Sequence, residues 1–198
     1  MTQHYTPATA LLVIDVQHDF ADPAGSLYVR GGEEIVPAIA QEIAAAQEAG
    51  ATVVYTQDWH PESTPHFAKD GGLWPVHCVM DSAGAALVPE LPVVGPIVHK
   101  GSGPEDSYSG FSVKDLNTGA VRGTELSTVL DENGIMSVVV VGLAGDWCVK
   151  ETAIDGVGLG YQVIVPLALT RFVELNPGDT EKAVAAMTEA GVTVLPQD

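Results

Sequence analysis

The chain alternates between short apolar runs and longer stretches with the hydrophobic periodicity of a helix. Six runs rich in β-branched residues are predicted to be strands, at residues 10–16, 51–57, 94–100, 136–142, 162–166 and 192–195. Four helices are predicted in the stretches that separate them, at residues 34–49, 124–133, 147–160 and 179–190. Strands that are apolar along nearly their whole length and alternate with helices are typical of a parallel sheet covered on both faces.

These elements predict an α/β protein with one domain, residues 1–198. It is expected to be a three-layer α/β/α sandwich around a mainly parallel sheet of about six strands. Two long polar segments, residues 58–92 and 101–122, follow the second and third predicted strands. In an open α/β sheet the loops beyond the carboxyl ends of the strands form the binding site. We therefore expect the functional residues along that edge of the sheet.

Composition narrows the range of partners. The 198 residues carry a net charge of −18 with only 8 Lys and Arg, which excludes nucleic acid and an anionic membrane surface as partners. No apolar run approaches the ~20 residues that span a bilayer. The two cysteines cannot build a disulfide framework, and the N-terminal segment lacks a signal-peptide pattern, so a cytoplasmic location is expected. The composition leaves a homo-oligomer open.

Three predicted strands end on residues that are unusual for a buried sheet. Asp15 lies at the end of the first strand, Lys100 at the end of the third, and Cys148 just after the fourth. Each residue alone has an ordinary explanation, as a loop-capping carboxylate, a surface lysine or a small buried side chain. Parallel strands place their carboxyl ends on one edge, so the three residues together predict a base, a cation and a nucleophile in one site.

Cys148 falls at the predicted start of a helix. Asp146 is the predicted N-cap residue, which would place the thiol among the free N–H groups of the first turn. The positive end of the helix and a nearby Lys100 would both favour thiolate over thiol. Asp15 would take the thiol proton and later return it to a leaving amine.

A second group of polar residues follows the second predicted strand. Asp58 and His60 are two residues apart at the exit of the strand, and His66 and His77 arrive from the following loop. One carboxylate and three imidazoles suit a single divalent metal ion. Zn²⁺ is favoured here, with Fe²⁺ or Mn²⁺ as alternatives. The competing interpretation is a polar loop with incidental histidines. Cys78, beside His77, lacks the strand-to-helix context of Cys148 and is interpreted as structural.

Several stretches of the sequence resemble the nicotinamidase/pyrazinamidase group of the isochorismatase-like cysteine hydrolases. They occur in the order found in that family and run through most of the chain. The stretches are LLVIDVQHDF at 11–20, GGEEIVPAI at 31–39, TQDWHPESTPHF at 56–67, WPVHC at 74–78, VHKG at 98–101, YSGF at 108–111 and VVGLAGDWCV at 140–149.

The resemblance implies a Rossmann-like parallel sheet that carries an Asp–Lys–Cys triad. Asp15 matches the base of that triad, Lys100 its central lysine and Cys148 its nucleophile. The resemblance also implies one bound divalent metal ion, and the residues that match the ligands are Asp58, His60, His66 and His77.

The resemblance further implies a pocket for a small aromatic amide. Phe20 and Trp74 match aromatic walls that sandwich a pyridine ring, and Tyr108 matches a tyrosine that lines the pocket. The peptide between Leu143, also assigned to the pocket, and Ala144 matches a non-proline cis bond. In the family this bond orients backbone N–H groups, here those of Ala144 and Cys148, as an oxyanion hole.

The activity implied is that of a nicotinamidase in NAD salvage, which hydrolyses nicotinamide to nicotinate and ammonia through a cysteine thioester. The nearest alternative is a related cysteine amidohydrolase acting on a carbamoyl, ureido or maleamate-type amide, and a further one is a non-catalytic metal-binding or thiol-sensing protein. A nucleotide-binding module is disfavoured because no Gly-rich phosphate loop follows the first strand.

The sequence departs from the family pattern beside the nucleophile. The family often has Ala-Thr-Asp before an aromatic residue or His and then the Cys, whereas here Gly145 and Trp147 stand in that loop. Gly145 is expected to loosen the loop, and Trp147 to narrow one wall of the pocket.

Overall fold

The computed structural model describes residues 4–197; residues 1–3 and 198 of the predicted domain lie outside that range. The strands are β1 (Thr9–Ile14), β2 (Thr52–Asp58), β3 (Ile97–Lys100), β4 (Glu105–Asp106), β5 (Ser112–Asp115), β6 (Val121–Gly123), β7 (Ser137–Leu143), β8 (Gln162–Pro166), β9 (Thr170–Arg171) and β10 (Thr193–Leu195). The helices are α1 (His18–Ala21), α2 (Gly32–Glu48), α3 (Leu126–Glu132), α4 (Cys148–Gly158) and α5 (Asp179–Glu189).

Seven of these strands form the central sheet, in the order β10-β8-β7-β1-β2-β3, and the short β9 also pairs with β7. Every neighbouring pair in this sheet is parallel. The prediction of a mainly parallel sheet is therefore confirmed. The predicted six strands are all present, and β9, only two residues long, is the addition.

The sheet is covered on both faces, as the apolar strands predicted. Successive residues of a strand point to opposite faces, and in β1 Leu11 and Val13 join one buried cluster whereas Leu12 and Ile14 join the other. Helix α2 supplies the first cluster, and α3, α4 and α5 supply the second. The result is the expected three-layer α/β/α arrangement. In residues 4–197 we find no helix with both the length and the apolar character needed to cross a membrane.

The polar segment 101–122 holds structure that the hydrophobic pattern did not predict. Strands β4, β5 and β6 form a separate antiparallel sheet, with Glu105 opposite Asp115 and Val113 opposite Arg122. These strands are two to four residues long, and β6 is exposed along its whole length, so no apolar alternation marks them. The small sheet follows β3 directly in the chain, and one of its residues, Asp106, contacts the functional site.

Candidate active site

The three strand-end residues meet in the structure as predicted. Asp15 follows the last residue of β1, Lys100 is the last residue of β3, and Cys148 is the first residue of α4, which follows β7. The Lys100 Nζ atom lies 2.8 Å from Asp15 Oδ2 and 3.6 Å from Cys148 Sγ. All three side chains are buried. A carboxylate, an ammonium and a thiol therefore lie in direct contact at the carboxyl edge of the sheet.

Lys100 also contacts the second predicted group of residues. Its Nζ atom lies 2.5 Å from Asp58 Oδ1 and donates a hydrogen bond to the carbonyl of Ser107 at 2.6 Å. Burial by itself opposes protonation of Lys100, but the carboxylates of Asp15 and Asp58 outweigh it and hold the lysine pKa well above its usual value. Lys100 is therefore a permanent cation shared by the nucleophile site and the histidine cluster.

Asp15 is held by a residue that the sequence analysis did not single out. The Thr56 hydroxyl donates to Asp15 Oδ1 at 2.6 Å and accepts the Asp15 backbone N–H at 3.2 Å. Asp15 has a left-handed backbone with φ 49°, an uncommon conformation outside glycine. Burial raises the pKa of its carboxyl group above the usual value, although Lys100 opposes this shift. In the sequence, the only clue to this role of Thr56 is its position two residues before Asp58, which places its hydroxyl on the same face of β2.

The surroundings of Cys148 favour the thiol over the thiolate, although the helix start and Lys100 were expected to act in the opposite direction. Burial raises the pKa of the thiol well above its usual value, and the Lys100 ammonium opposes this only in part. The nearby carboxylates of Asp15 and Asp58 and a hydrogen bond to Asp15 raise the pKa further. The helix start and the lysine are thus outweighed by desolvation and by two carboxylates. Such a nucleophile needs an adjacent base, and Asp15 stands in that place.

The predicted N-cap at Asp146 is wrong. Helix α4 begins at Cys148 with Trp147 in the cap position, and no side chain caps it. Asp146 instead accepts the backbone N–H groups of Val173 at 3.0 Å and Glu174 at 2.8 Å. Its carboxylate therefore ties the loop before α4 to the segment that follows β9.

The loop between β7 and α4 leaves two backbone donors beside the sulfur. The peptide between Leu143 and Ala144 is cis, as the resemblance implied. No acceptor within residues 4–197 takes the N–H of Ala144 or of Cys148. Gly145 in this loop is packed rather than loose, since a Cβ atom there would lie 2.5 Å from Cε1 of the Phe172 ring. The expectation that Gly145 loosens the loop is therefore wrong.

The histidine cluster forms as predicted. One ligand atom from each of His60, His66 and His77 lies within 4.8 Å of those of the other two, and all three residues are buried. Asp58 Oδ2 lies 3.7 Å from His60 Nε2 and 3.8 Å from His77 Nε2. The three predicted histidine ligands therefore form one cluster at the exit of β2, and the fourth predicted ligand, Asp58, lies beside two of them.

The hydrogen bonds of the three imidazoles test whether these residues fit a metal ion. The Nδ1 atom of His60 pairs with the Gly101 carbonyl at 3.0 Å, and that of His77 with the Pro75 carbonyl at 2.7 Å. His66 Nδ1 pairs with Asp106. These bonds leave the Nε2 atom of each ring uncommitted, and the buried His60 Nε2 has no hydrogen-bond partner among the described residues. Metal-binding histidines commonly use their second nitrogen in this way.

The charge states also suit a divalent cation. Burial lowers the pKa of His77 to about 4, so its imidazole is neutral near pH 7 and has a lone pair to donate. Burial alone opposes ionisation of Asp58, but Lys100 and the neighbouring His60 and His77 outweigh it and hold the Asp58 pKa well below its usual value. A carboxylate and a neutral imidazole are both donors that can hold a divalent metal ion.

A pocket that opens to solvent connects the sulfur to the histidine cluster. The Trp74 indole N–H donates to the Tyr108 hydroxyl at 3.0 Å, which fixes the two rings against each other. Trp147 packs edge-on against Trp74 with ring centroids 4.8 Å apart, so it does form a wall. The pocket is lined by the predicted residues Phe20, Trp74, Tyr108, Leu143, Ala144 and Cys148, by Asp58, His66 and His77, and by Trp147, Leu27, Val29 and Val173.

Leu27, Val29 and Val173 are pocket residues that sequence reasoning missed. They are apolar side chains from two distant segments, and nothing in their local sequence distinguishes a pocket wall from core. Two polar supports were also missed. Gln17 donates to the Asp58 carbonyl at 2.8 Å and accepts the Asp58 N–H at 2.9 Å, and the Ser107 hydroxyl donates to Asp58 Oδ1 at 2.9 Å.

Comparison with known proteins agrees with this geometry. Residues 9–198 match the Isochorismatase domain family. The chain is 36% identical to a nicotinamidase of Escherichia coli (strain K12), over 95% of this chain and 94% of that protein. The structure is similar to that of a Pyrococcus horikoshii pyrazinamidase in complex with zinc, with a TM-score of 0.85 and 35% identity over 96% of this chain and 100% of that chain.

A second solved structure, PnC1 from L. infantum in complex with nicotinate, has a TM-score of 0.86 and 36% identity, over 96% of this chain and 94% of that chain. The matches extend over nearly the whole chain in both sequence and structure. They include the strand ends and the loops that carry the buried thiol, carboxylates and histidines. The chain therefore belongs to the isochorismatase domain family.

Proposed function

We propose that this protein is a nicotinamidase, which hydrolyses nicotinamide to nicotinate and ammonia. The observation that carries the proposal is that Cys148 lines an aromatic pocket and contacts Lys100, which in turn binds the buried Asp15. The nicotinamidase relative aligned over nearly the whole chain and the nicotinate bound in a similar structure support the same activity. The class of reaction is hydrolysis of a carbon–nitrogen bond in a linear amide.

In the proposed first half-reaction, Asp15 removes the Cys148 proton as the sulfur attacks the carboxamide carbon. The Asp15 carboxylate lies within hydrogen-bond reach of the thiol, and Lys100 contacts both groups, so the proton has a short path. Asp15 then protonates the departing ammonia, and the acyl group remains on sulfur as a thioester. In the second half-reaction Asp15 removes a proton from water as its oxygen attacks the thioester carbon. The carbon–sulfur bond breaks, the proton passes from Asp15 to the leaving Cys148 sulfur, and nicotinate is released.

The free N–H groups of Ala144 and Cys148 are proposed to bind the oxyanion formed in both half-reactions. Neither group is used by another acceptor in the described part of the chain, and both residues line the pocket. Removing one such donor typically costs about 3–4 kcal/mol of transition-state stabilisation. Because both donors are backbone groups, the conformation of the loop between β7 and α4 sets this contribution.

The metal ion proposed for the histidine cluster is Zn²⁺, which the four side chains Asp58, His60, His66 and His77 would hold. This donor set is typical of zinc, and a similar structure was obtained in complex with zinc. When bound, such an ion would supply Lewis acidity beside the pocket, which Asp58, His66 and His77 also line. Lys100 forms an ion pair with the proposed ligand Asp58 and so links the metal site to the nucleophile.

The shape of the pocket favours an aromatic amide over the carbamoyl, ureido and maleamate alternatives. Phe20, Trp74 and Tyr108 present ring faces and edges to its interior, and aromatic pairs contribute about 0.5–1.5 kcal/mol beyond the area that they bury. An aliphatic amide would bury polar groups against these rings without gaining ring contacts. The non-catalytic alternative leaves the buried Asp15–Lys100 pair without a role.

The test is ammonia release from nicotinamide by the wild-type protein and by Cys148→Ala. We expect turnover in the wild type, none above background in the variant, and a wild-type adduct with the mass of one nicotinoyl group after acid quench. The matched control is Cys78→Ala, which removes the other buried cysteine and is expected to retain turnover. Turnover by Cys148→Ala would contradict the covalent route, and hydrolysis of aliphatic amides in preference to nicotinamide would contradict the substrate assignment.

A further inference from the structure

One histidine of the cluster has a hydrogen-bond partner unlike the other two. His66 Nδ1 lies 2.7 Å from Asp106 Oδ1, whereas the Nδ1 atoms of His60 and His77 pair with backbone carbonyls. The His66 side chain is 4% exposed and that of Asp106 29% exposed, so the pair spans the boundary between the buried cluster and solvent. Asp106 is therefore the only side chain, within residues 4–197, that fixes a cluster histidine through Nδ1.

Asp106 is supported by the antiparallel sheet of β4, β5 and β6. It lies on β4, where Asp106 pairs with Lys114 in register, and its neighbour Glu105 forms an ion pair with Arg122. The next residue, Ser107, donates to Asp58 Oδ1 and supplies the carbonyl that binds Lys100. Three consecutive residues thus fasten β4 to its own sheet, to His66 and to the Asp58–Lys100 pair.

We propose that Asp106 is a positioning residue of the metal site, which orients His66 so that its Nε2 lone pair faces the ion. This inference rests on the metal site named under the proposed function. Asp106 accepts the Nδ1–H of His66, which selects the tautomer with Nε2 unprotonated and fixes the ring plane. A carboxylate partner also makes an imidazole a stronger donor, and loss of such partners typically lowers metal affinity 10- to 100-fold.

The packing around His66 explains why its orientation needs a dedicated acceptor. Its ring stacks on His60 with centroids 4.8 Å apart and lies 5.8 Å from the Tyr108 ring. These contacts restrict the tilt of the His66 ring. A ring flipped by 180° fills nearly the same space, so packing alone does not choose between the two orientations. The hydrogen bond to Asp106 distinguishes Nδ1 from Nε2 and so selects one of them.

The experiment measures the zinc affinity of the metal-free full-length protein by competition with a chelator, in the absence of substrate. Asp106→Asn and Asp106→Ala are expected to weaken zinc binding about 10- to 100-fold. Asp106→Glu, which keeps a carboxylate, is expected to bind closer to wild type than either. The matched control is Asp131→Asn, which removes the same charge from an exposed position on α3 and is expected to leave the affinity unchanged.

A second measurement distinguishes a change in the orientation of the His66 ring from a loss of folding. Cobalt is added to each metal-free protein, and its visible absorption reports the donor set and geometry around the ion. Asp106→Asn is expected to fold, as judged by circular dichroism, and to shift this spectrum relative to wild type and Asp131→Asn. A purely structural role for Asp106 would change thermal stability but leave the cobalt spectrum and the zinc affinity of the folded protein unchanged.

The outcomes distinguish this inference from the proposed function. Wild-type zinc affinity and an unchanged cobalt spectrum in Asp106→Asn and Asp106→Ala would overturn the positioning role alone, with Cys148-dependent turnover untouched. A wild-type protein that binds neither zinc nor cobalt would overturn both the metal site and the role of Asp106. Weakened binding by Asp131→Asn equal to that of Asp106→Asn would overturn the specific role by attributing the loss to net charge.

Discussion

At the scale of single residues, Lys100 is the point where the two halves of the site are joined. Its ammonium lies between the carboxylates of Asp15 and Asp58, and all three groups are excluded from water. Two carboxylates so close would repel each other without it, and one would take up a proton. The lysine therefore allows Asp58 to stay ionised as a ligand while Asp15 remains available as a base.

The first prediction concerns the pH dependence that Asp15 imposes. The base must be ionised to accept the Cys148 proton, and burial raises its pKa above the usual value of 3.8. Activity present above this raised pKa is lost as the pH falls through it. We expect kcat/KM for nicotinamide, which reports the free enzyme, to fall on an acid limb centred above pH 3.8.

The measurement is a pH profile of kcat/KM, with the metal content and circular dichroism of the protein recorded at each pH. These controls exclude loss of ligands or of folding as the source of the limb. An acid limb centred at or below 3.8 in a folded, metal-loaded enzyme would contradict the raised pKa of Asp15.

The sequence could predict the reacting residues but not the residues that hold them. Asp15, Lys100 and Cys148 are visible because charged and reactive side chains at the ends of apolar strands are costly unless they are used. Thr56 and Asp106 are small polar residues in positions where such residues are common. Their hydrogen bonds depend on how β2 and β4 are placed relative to β1 and the histidine loop, which local sequence does not encode.

At the scale of elements, the loop between β7 and α4 is fixed by packing against the segment after β9. Asp146 binds two backbone N–H groups of that segment, and the Phe172 ring occupies the space where Gly145 would carry a side chain. Thr, often found at this position in the family, has no room beside Phe172. The glycine and the phenylalanine thus form a matched pair that sets the path of the loop carrying Ala144.

The second prediction follows from this pair. Gly145→Ala places a Cβ atom 2.5 Å from the Phe172 ring, so the ring or the loop must move. We expect a loss of about 1–3 kcal/mol in the free energy of unfolding and a lower kcat/KM, since the oxyanion donors lie in the same loop. Phe172→Ala in the same chain should recover part of both losses. Urea denaturation and steady-state kinetics measure them.

The matched control for that prediction is Gly158→Ala. Gly158 is the last residue of α4, and a Cβ atom there would meet nothing within 4 Å. Alanine is the better helix former by up to about 1 kcal/mol, so this variant is expected to keep or gain stability. Equal losses from Gly145→Ala and Gly158→Ala, or no recovery with Phe172→Ala, would refute the packing explanation.

The strands of the central sheet were predictable because they are rich in β-branched residues, and β1, β2 and β7 at its centre are almost wholly buried. The antiparallel sheet of β4, β5 and β6 was not, since its strands are short and partly or wholly exposed. Hydrophobic periodicity reports burial, and this sheet is held by backbone pairing and by the Glu105–Arg122 ion pair. The element that supports the metal site is therefore the one that the hydrophobic pattern could not predict.

At the scale of the whole molecule, the functional site is formed partly by the central sheet and partly by a loop that has little hydrophobic core of its own. Residues 59–78 have no strand, and Ala68–Asp70 is a single turn of 3-10 helix. The chain folds back through bridges between His60 and Val79 and between Phe67 and Trp74. Asp58 belongs to β2, whereas His66 and His77 come from this loop. A metal ion held by all of them would fasten the loop, and with it the Trp74 wall, to the sheet.

The last prediction is that metal removal destabilises the protein through this loop. An ion that binds only the folded state stabilises it by about 2.7 kcal/mol when its free concentration is 100 times its Kd. For a domain of this size about 1 kcal/mol shifts Tm by about 2–4 °C, so a chelator should lower Tm by about 5–10 °C. Calorimetry of the zinc-loaded and chelator-treated protein measures this shift.

A double variant, His60→Ala with His77→Ala, shows whether that shift arises at the cluster. It removes two of the four predicted ligands, so its Tm should be low with or without chelator and should not rise when zinc is added. Near-ultraviolet circular dichroism should report the loss of Trp74 packing in the chelator-treated wild type and in the double variant alike. If the chelator lowered the Tm of the double variant as much as that of the wild type, the stabilising ion would have to lie elsewhere, and the loop would owe its order to the protein contacts alone.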